Sequence, residues 1–422
     1  MACGLPALVG VFGLRRWFHP LSVAACICVL SMPSLGDATL QGLLQVGALA
    51  ADSKTSFMRK GTGVLRYDDS GIVLQQALLR FSSDLSSSLG ADIVMNANGD
   101  GDRRLGFTQV ALKWKPLSAA PVRLKGRVGL FYPRMSSENA DLGWLSPYSY
   151  TPSAVNSWIG EELRILGGEV SMFSPGRSRR STWSWEATAG VFGGNDPTGT
   201  LVGWRGFALT DRQTLYDDRV EFAPIPTIID RDQLWSKSWV EPFKEIDDRI
   251  GHYIGGHLRW RNRTDLRLYY YDNNADSSRL NEDRLYAWDT MFGSLSLRHD
   301  LTPTIRLLVQ WIRGSSGMGP DLVEIEFDSY YALVSQRIGT SRFSLRYDRW
   351  RVSDTDSFEA DPNDSDGDAI TLAWRRDMNS SWQFGLEYIH SDNVATNRIT
   401  LGNPSGSRQQ QMMAVARYRF SL

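Results

Sequence analysis

The stretch Val122–Tyr132 reads VRLKGRVGLFY and alternates apolar with polar residues. One face of an extended chain would carry Val122, Leu124, Val128, Leu130 and Tyr132, and the other Arg123, Lys125 and Arg127. A helix repeats every 3.6 residues, whereas a strand repeats every two, because successive side chains point to opposite sides. The stretch therefore predicts a β-strand with one apolar face and one strongly basic face.

The same alternation recurs along the whole chain after residue 38. It is clear at 183–191, 305–311, 343–347 and 382–388. No apolar run in this part approaches the roughly 18 residues that a membrane-spanning helix needs. The pattern therefore predicts an all-β protein.

The connections between the predicted strands alternate in length. Short ones fall near 84–89, 116–121, 174–181, 262–265, 299–303, 338–340 and 378–380. Long ones are 52–70, 97–105, 133–160, 194–250, 273–284, 314–322, 353–368 and 392–408. These fifteen connections separate about sixteen strands and place both termini at the short-turn end. Because 285–298 and 323–337 alternate less cleanly, fourteen or eighteen strands stay open.

Sorting of the loops by length predicts a transmembrane antiparallel β-barrel over 39–422, a single domain with short periplasmic turns and long outer loops. Lipid cannot satisfy the polar backbone of an open sheet edge, so such a sheet must close on itself. The mean hydropathy of -0.29 agrees, because only every second strand residue would face lipid. A soluble exported β-protein is an alternative, with its aromatic faces buried between two sheets.

Residues 1–38 have the layout of a secretory signal peptide. Arg15 and Arg16 precede an apolar run at 21–32, and small residues at Gly36 and Ala38 predict cleavage near Ala38. A lipoprotein box ending at Cys26 and a twin-arginine signal are alternatives that fit the flanking residues less well.

Composition excludes several classes of function. All three cysteines lie before residue 38, so the mature chain has no disulfide, thiolate metal site or cysteine nucleophile. A formal net charge of -1 gives no basic signature for nucleic-acid binding. We predict no cofactor and no metal site. The acidic segment 354–368 lacks the glutamate of an EF-hand, since Leu372 stands twelfth from Asp361. We expect it to be an outer loop that bridges to lipopolysaccharide through divalent cations.

The C-terminal segment 412–422, MMAVARYRFSL, places Met412, Ala414, Ala416, Tyr418 and Phe420 on one face. With Tyr418 and Phe420 it resembles the final-strand signal that the outer-membrane assembly machinery reads, although Ser421 and Leu422 follow the last aromatic residue. In strand count, loop order and terminal signal the whole mature chain resembles a bacterial porin. The resemblance implies an outer-membrane location, passage of small hydrophilic solutes and, as one option, a homotrimer. It identifies no subfamily.

In general porins the loop after the fifth strand folds into the barrel and narrows the pore, and the resemblance implies the same for 133–160. The residues agree, because Pro147 and Pro152 cannot continue a strand ladder and the aromatic residues could pack on the inner wall. The predicted constriction residues are Glu138, Asp141, Trp144, Tyr148 and Trp158. An outer loop packed on its neighbours is the alternative. Loop 194–250 could cap the mouth, clasp a neighbouring subunit or itself form the constriction.

Basic residues dominate the predicted inner face. The pore-lining candidates are Arg80, Lys113, Lys125, Arg127, Arg164, Arg306 and Arg346. Acidic residues that the alternation places on the same inner face, such as Glu186 and Glu387, are fewer. We therefore expect a slight anion preference. We also expect Glu138 and Asp141 to face Arg127 across the gap. The alternative is that these cations only solvate the inner face.

The sequence gives little support for catalysis. The histidines after residue 38 are His252, His257, His299 and His390, and neither G-x-S-x-G nor H-E-x-x-H occurs. We expect a protein that is not an enzyme. A lipid hydrolase with a serine–histidine pair built across strands, and a plugged structural barrel, are the competing hypotheses.

Overall fold

The computed structural model describes residues 38–320 and 322–422. The predicted signal peptide lies outside the described residues, except for Ala38, where the first strand begins.

Sixteen strands form one closed antiparallel barrel, as predicted. They are β1 (Ala38–Asp52), β2 (Gly71–Asp84), β3 (Leu89–Ala97), β4 (Leu105–Trp114), β5 (Arg123–Phe131), β6 (Ile165–Ser174), β7 (Trp183–Gly193), β10 (Gly251–Trp260), β11 (Thr264–Asp272), β12 (Asp289–Asp300), β13 (Ile305–Met318), β14 (Val323–Ile338), β15 (Ser341–Asp354), β16 (Ser365–Asp377), β17 (Trp382–Ala395) and β18 (Gly406–Ser421). A separate two-stranded ribbon consists of β8 (Val220–Glu221) and β9 (Trp239–Val240).

Helices occur only in the connections of the described chain. They are α1 (Ala154–Glu162), α2 (Thr200–Trp204) and α3 (Pro226–Ile229), with 3-10 turns at Phe57–Arg59, Leu142–Trp144, Gly176–Arg179 and Thr396–Leu401. None of the helices in the described residues has the length and apolarity to cross a membrane.

Pairing of the first and last strands closes the barrel. Their register runs from Gln41 opposite Ser421 to Asp52 opposite Gln410. Beyond the ladder, Leu40 and Leu422 exchange backbone hydrogen bonds of 3.0 and 2.8 Å. The start of β1 and the end of β18 lie at the end of the barrel that carries the seven short turns, 85–88, 115–122, 175–182, 261–263, 301–304, 339–340 and 378–381. This is the periplasmic end in bacterial barrels.

The outer surface of the barrel is apolar. Val128, Val170 and Leu268 are more than half exposed, although water-facing sheets usually hide such side chains. Near the short turns, Trp382 lies 5.0 Å from Tyr418 between ring centroids, and Phe420 lies beside Tyr418. An apolar band with an aromatic girdle, on an even-stranded closed barrel, places the protein in the bacterial outer membrane.

Candidate functional site in the barrel lumen

The connection between β5 and β6, residues 132–164, folds into the barrel, and we call it the lumen loop. All nine residues of α1 are buried within it. The Ser153 side chain caps this helix by accepting a hydrogen bond from the Asn156 amide at 3.2 Å. Contacts of the loop reach the inner faces of β11–β18 and, across the lumen, of β2 and β3.

Arg346 on β15 holds the centre of the lumen loop. Its guanidinium lies 3.1 Å from a Glu138 carboxylate oxygen and 2.7 Å from Asp348 on its own strand. It also donates to the carbonyl oxygens of Thr151 and Pro152, at 2.7 and 3.0 Å. Only 1% of its surface is exposed. Removal of one partner from such a buried pair leaves an uncompensated charge, so this contact strongly favours the inserted loop.

Arg375 on β16 and Glu387 on β17 extend the attachment. Arg375 donates to the Ser146 carbonyl oxygen at 2.7 Å, and Glu387 accepts from the amides of Tyr150 and Thr151 at 2.6 and 2.9 Å. We call these inner-face residues the anchoring wall, comprising Arg346, Asp348, Arg375 and Glu387. Because its charged groups bind mostly loop backbone, the wall fixes the path of the chain and not only its side chains.

On the opposite side the loop touches the wall through apolar groups. Leu145 packs with Leu78 of β2 and Val94 of β3. Gly143 has a φ of +61°, and a Cβ there would come within 2.9 Å of Leu78. The positive φ favours glycine at this turn, and a Cβ there would make the Leu78 side chain shift.

The long loop, residues 194–250, forms a second layer above the lumen loop. The Glu162 carboxylate joins the two layers, since it accepts from the Leu201 amide at 3.0 Å and the Gly199 amide at 3.2 Å. Burial raises the pKa of Glu162 to about 7. Gln213 donates to the Gly143 carbonyl oxygen at 2.8 Å.

The long loop also covers the outer mouth. Trp204 packs edge-on against Trp288 with centroids 5.0 Å apart and donates to Asp361 at 3.2 Å. Asn397 donates to the Trp204 carbonyl oxygen at 2.7 Å. The loop therefore contacts three other outer connections, those before β12, before β16 and after β17.

Buried amide side chains without partners lie on β2, on β3 and just beyond the end of β3. Gln76, Asn96 and Asn98 are at most 3% exposed, and none of their side-chain nitrogen or oxygen atoms has a hydrogen-bond partner among the described residues. We call these three residues the amide wall. Buried amides are unfavourable unless water or a polar solute hydrates them. Residues 139, 150, 156 and 214 of the two loops also present orphaned polar atoms.

Narrow spaces lie around the loops. A cleft of only about 10 Å³ between the two loops is lined by Asn139, Tyr150, Asn156, Asp211 and Gln213, among others. Two larger vestibules of about 240 and 110 Å³ open at the short-turn end. Lys115, Lys125 and Arg259 line the first with Glu186, and Arg337, Arg342, Arg375 and Arg419 line the second with Asp141 and Asp377. Both vestibules thus contain more cations than carboxylates.

Six of the seven predicted pore-lining cations face a carboxylate. Asp92 accepts hydrogen bonds from Arg80, at 2.7 Å, and from Lys113. Lys125 lies 2.8 Å from Glu186, and Arg127 lies 3.0 Å from Glu169. Arg306 pairs with Asp300, and Arg346 pairs with Glu138 and Asp348 as described above. Arg164 ends the lumen loop, donates to the Tyr132 hydroxyl at 3.1 Å and lies 4.3 Å from the Phe243 ring.

Assigning inward-facing residues from strand alternation missed these acids as partners. Asp92, Glu169 and Asp300 lie on neighbouring strands, and the sequence does not specify the register between strands. The expected partner of the loop carboxylates also differs. Glu138 pairs with Arg346, and Asp141 lies 3.1 Å from Arg419 on β18, so neither faces Arg127. The alternation pattern places Arg346 and Arg419 on the inner face of the barrel, as it does Arg127. This could have identified them as candidate partners for the two loop carboxylates.

The predicted aromatic residues of the constriction all lie within the lumen loop. Trp144 stacks on Tyr132 at 4.2 Å, and the Tyr148 hydroxyl accepts from Arg306 at 3.1 Å. Trp158 on α1 enters a cluster with Phe292 of β12 and Phe327 of β14 at 5.3 and 5.1 Å. Aromatic contacts at these distances stabilise the helix against the wall.

No histidine of the described chain hydrogen-bonds a serine. His257 shares a 2.8 Å hydrogen bond with the Tyr269 hydroxyl, His299 one of 2.9 Å with Thr264, and His390 pairs with Asp392. A serine nucleophile needs a base within reach, so these contacts supply no support for a hydrolase.

One group of acids in the described chain could hold a cation. Carboxylate oxygens of Asp196, Glu245 and Asp247 lie within 4.8 Å of one another on the long loop. Burial, and then the neighbouring Glu245, raise the pKa of Asp196.

The closed sixteen-stranded barrel with an inserted loop after β5 has the architecture of outer-membrane porins. No protein-family model matches the sequence, and no curated protein matches it. Among solved structures, the outer-membrane channel DcaP of Acinetobacter baumannii is similar over 91% of this chain and 97% of its own, with a TM-score of 0.55 and 10% identity. The trimer form of OmpT, an outer-membrane protein of Vibrio cholerae, is similar over 92% and 100%, with a TM-score of 0.53 and 11% identity. At this identity the likeness concerns the fold.

Proposed function

We propose that the protein is an outer-membrane channel for passive diffusion of small hydrophilic solutes, which pass between the lumen loop and the amide wall. The observation that carries the proposal is the amide wall itself. Gln76, Asn96 and Asn98 are buried and lack partners, and a purely structural plug would have no reason to keep three such groups. Water and polar solutes can bind both the donor and the acceptor of an amide.

The two vestibules support the same route. Each opens at the periplasmic end, and the second is bounded by Asp141 and Pro147 of the lumen loop. A solute that leaves the space between the lumen loop and the amide wall would enter a basic compartment. The excess of cations there supports a slight preference for anions, while the paired charges on the wall favour neutral solutes and weak acids.

Because both loops fill the lumen, this structure represents a low-conductance state of the proposed channel. Opening would move the lumen loop away from β2 and β3, where Leu145 makes apolar contacts with Leu78 and Val94, and would leave the charged contacts of the anchoring wall in place.

Single-channel recording with a reversible cross-link tests this proposal. Cysteines would replace Val94 and Leu145, which share one apolar cluster. The chain after residue 38 has no other cysteine. A short thiol-reactive cross-linker between them should abolish conductance, while the uncross-linked double variant and each single cysteine variant, treated alike, should conduct as the wild type does. Retained heat-dependent migration on SDS gels would verify folding.

A plugged structural barrel is the second candidate, and the dense charged contacts of Arg346 favour it. It would be supported if the wild type never conducts at any voltage or salt concentration and the cross-link changes nothing. A lipid hydrolase is disfavoured by the histidine contacts, and a hydrolysis assay on detergent-solubilised phospholipid should give no product.

We further propose a homotrimer, by analogy with the form named for OmpT of Vibrio cholerae. The assembly machinery would bind the final strand through Tyr418 and Phe420, and lipopolysaccharide would contact the acidic outer loop at 353–368. Mass measurement in detergent tests the trimer, and a single mass equal to that of one chain would exclude it.

A further inference from the structure

Six arginines lie together at the short-turn end of the barrel, and we call them the arginine rim. They are Arg123, Arg177, Arg179, Arg180, Arg261 and Arg263. Their turns are neighbours, because β5 pairs with β6 and β7 pairs with β10. Arg123 donates to the Ser178 side chain at 3.1 Å, and the Arg261 amide donates to the Thr182 carbonyl oxygen at 2.9 Å.

The charges of the rim are uncompensated. None of the six arginines forms an ion pair with an acid of residues 38–320 or 322–422, and all but Arg123 are exposed. Backbone geometry does not explain the residue choice. Arg180 and Arg261 have φ values of 53° and 46°, where glycine or asparagine would be more favourable.

The rim lies at the membrane–water boundary. Trp183 and Trp260 pair across β7 and β10, with ring centroids 6.4 Å apart, and the Arg261 guanidinium lies 5.1 Å from the Trp260 ring. Tryptophan of an aromatic girdle occupies the headgroup level of a bilayer. The guanidinium groups are therefore at the height of lipid phosphates in the periplasmic leaflet.

An apolar groove begins directly above the rim on the lipid-facing surface. Trp114, Val128, Val170 and Val191 form its sides, and Gly168 lies on its floor. Val128 and Val170 are 56% and 57% exposed. A Cβ at Gly168 would have no neighbour nearer than 4.0 Å, so the floor is open to the lipid. Val128 is five residues from Arg123, or about 17 Å along the strand.

We propose that the rim and the groove together bind an anionic phospholipid of the periplasmic leaflet. The phosphate would accept forked hydrogen bonds from the guanidinium groups of the turn arginines, whereas Arg123 has the inward side of β5. One acyl chain would lie in the groove. A soluble anion would use the rim but not the groove, so the adjacency of the two features selects a lipid. The site is on the outside of the barrel and does not depend on the proposed channel.

Native mass spectrometry of the full mature barrel in neutral detergent tests this site. The wild type should retain phosphatidylglycerol at least about tenfold more strongly than phosphatidylcholine, since each basic residue near the surface adds to the attraction. The double variant Arg177→Gln/Arg180→Gln should lose this preference. A control, Arg337→Gln/Arg376→Gln, removes two exposed arginines elsewhere on the same end and should keep it. Equal loss in the control would overturn the proposal in favour of diffuse charge attraction.

A second variant tests the groove without changing charge. Gly168→Leu adds a side chain to the groove floor and should weaken retention of phosphatidylglycerol severalfold, while heat-dependent gel migration stays normal. Glycerol phosphate, the headgroup alone, should compete poorly with the lipid. If Gly168→Leu binds as the wild type does, or if glycerol phosphate displaces the lipid at equal concentration, the ligand is a soluble anion and the lipid assignment is wrong.

Discussion

The two sides of the lumen make different kinds of contact with the lumen loop. The anchoring wall on β15–β17 holds it with charged groups, of which Arg346 alone makes contacts to Glu138, Thr151 and Pro152. On the side of the amide wall, Leu78 and Val94 give the loop apolar contacts, and the amides themselves have no partners. Both walls are equally buried, so burial does not distinguish them. The difference lies in whether the polar groups are satisfied by the protein.

This contrast separates the part of the loop that holds it in place from the part that could move. A buried ion pair with several hydrogen bonds resists separation, because each group would lose its partners in a poorly hydrated space. Apolar contacts beside amides that have no protein partner separate at lower free energy. We therefore expect mutations on the two walls to act in opposite directions on conductance.

The largest effect is expected from Arg346→Ala. The substitution leaves the buried carboxylates of Glu138 and Asp348 without their cation, a change that costs about 3–5 kcal/mol in comparable buried pairs. The loop should detach, so conductance should rise and the thermal unfolding temperature should fall.

Arg349→Ala is the matched control for that prediction. Arg349 lies on the same strand, is 30% exposed and pairs with Asp366, so its loss should cost at most about 1 kcal/mol and leave conductance unchanged. Equal behaviour of the two variants would show that Arg346 has no special role in holding the loop.

A smaller effect of opposite sign is expected from Gln76→Leu/Asn96→Leu. Apolar side chains would dehydrate the amide wall, so conductance should fall severalfold in single-channel records. Stability should not fall, because the replaced amides have no protein partner to leave behind.

Gln45→Leu sharpens this comparison. Gln45 is equally buried, but it donates to Gln75 at 3.1 Å and accepts from Arg417 at 2.8 Å. Its loss leaves both partners unsatisfied, which costs about 1–3 kcal/mol. Gln45→Leu should therefore lower the unfolding temperature where the double variant does not. A large stability loss in the double variant would mean that its amides are bonded after all.

The barrel could be predicted from the sequence because the patterns that indicate it are local. In a strand such as Val122–Tyr132, the alternation of apolar and polar residues predicts which side chains face lipid and which face the lumen. The length of each connection predicts the end of the barrel at which it lies. The insertion of 133–160 was expected only through the porin resemblance, with its prolines and aromatic residues in agreement.

The contacts of the lumen could not be read in the same way, since they join residues far apart in the chain. Glu138 meets Arg346 across 208 positions, and Asp92 meets Lys113 across a register that only the folded sheet defines. The amide wall was missed because Gln76, Asn96 and Asn98 resemble any inward polar residue until their lack of partners is seen.

Glu162 predicts a moderate pH dependence of the attachment between the two loops. Its pKa is raised to about 7 from an ordinary value of 4.5, because burial disfavours the carboxylate. The folded state therefore binds the proton more tightly than the unfolded state does. The stabilisation is fully present below pH 4.5 and is lost as the pH rises through 7. Glu162→Gln should flatten this part of the profile of unfolding temperature against pH. Parallel profiles for the wild type and Glu162→Gln would contradict the prediction.

The smallest effect concerns ion preference, and it compares two members of one charge cluster. Arg80 and Lys113 share Asp92, so the cluster carries one net positive charge. Lys113→Gln reduces that charge to zero, whereas Asp92→Asn raises it to two. Because salt screens such charges beyond about 8 Å at physiological ionic strength, each shift of the reversal potential in a salt gradient should be slight. Lys113→Gln should move it toward cation selectivity and Asp92→Asn, by a similar amount, toward anion selectivity. A large shift of the reversal potential for Lys113→Gln, with none for Asp92→Asn, would contradict this prediction. It would mean that the lysine acts as an unpaired charge in the pore, as the alternation pattern alone suggests.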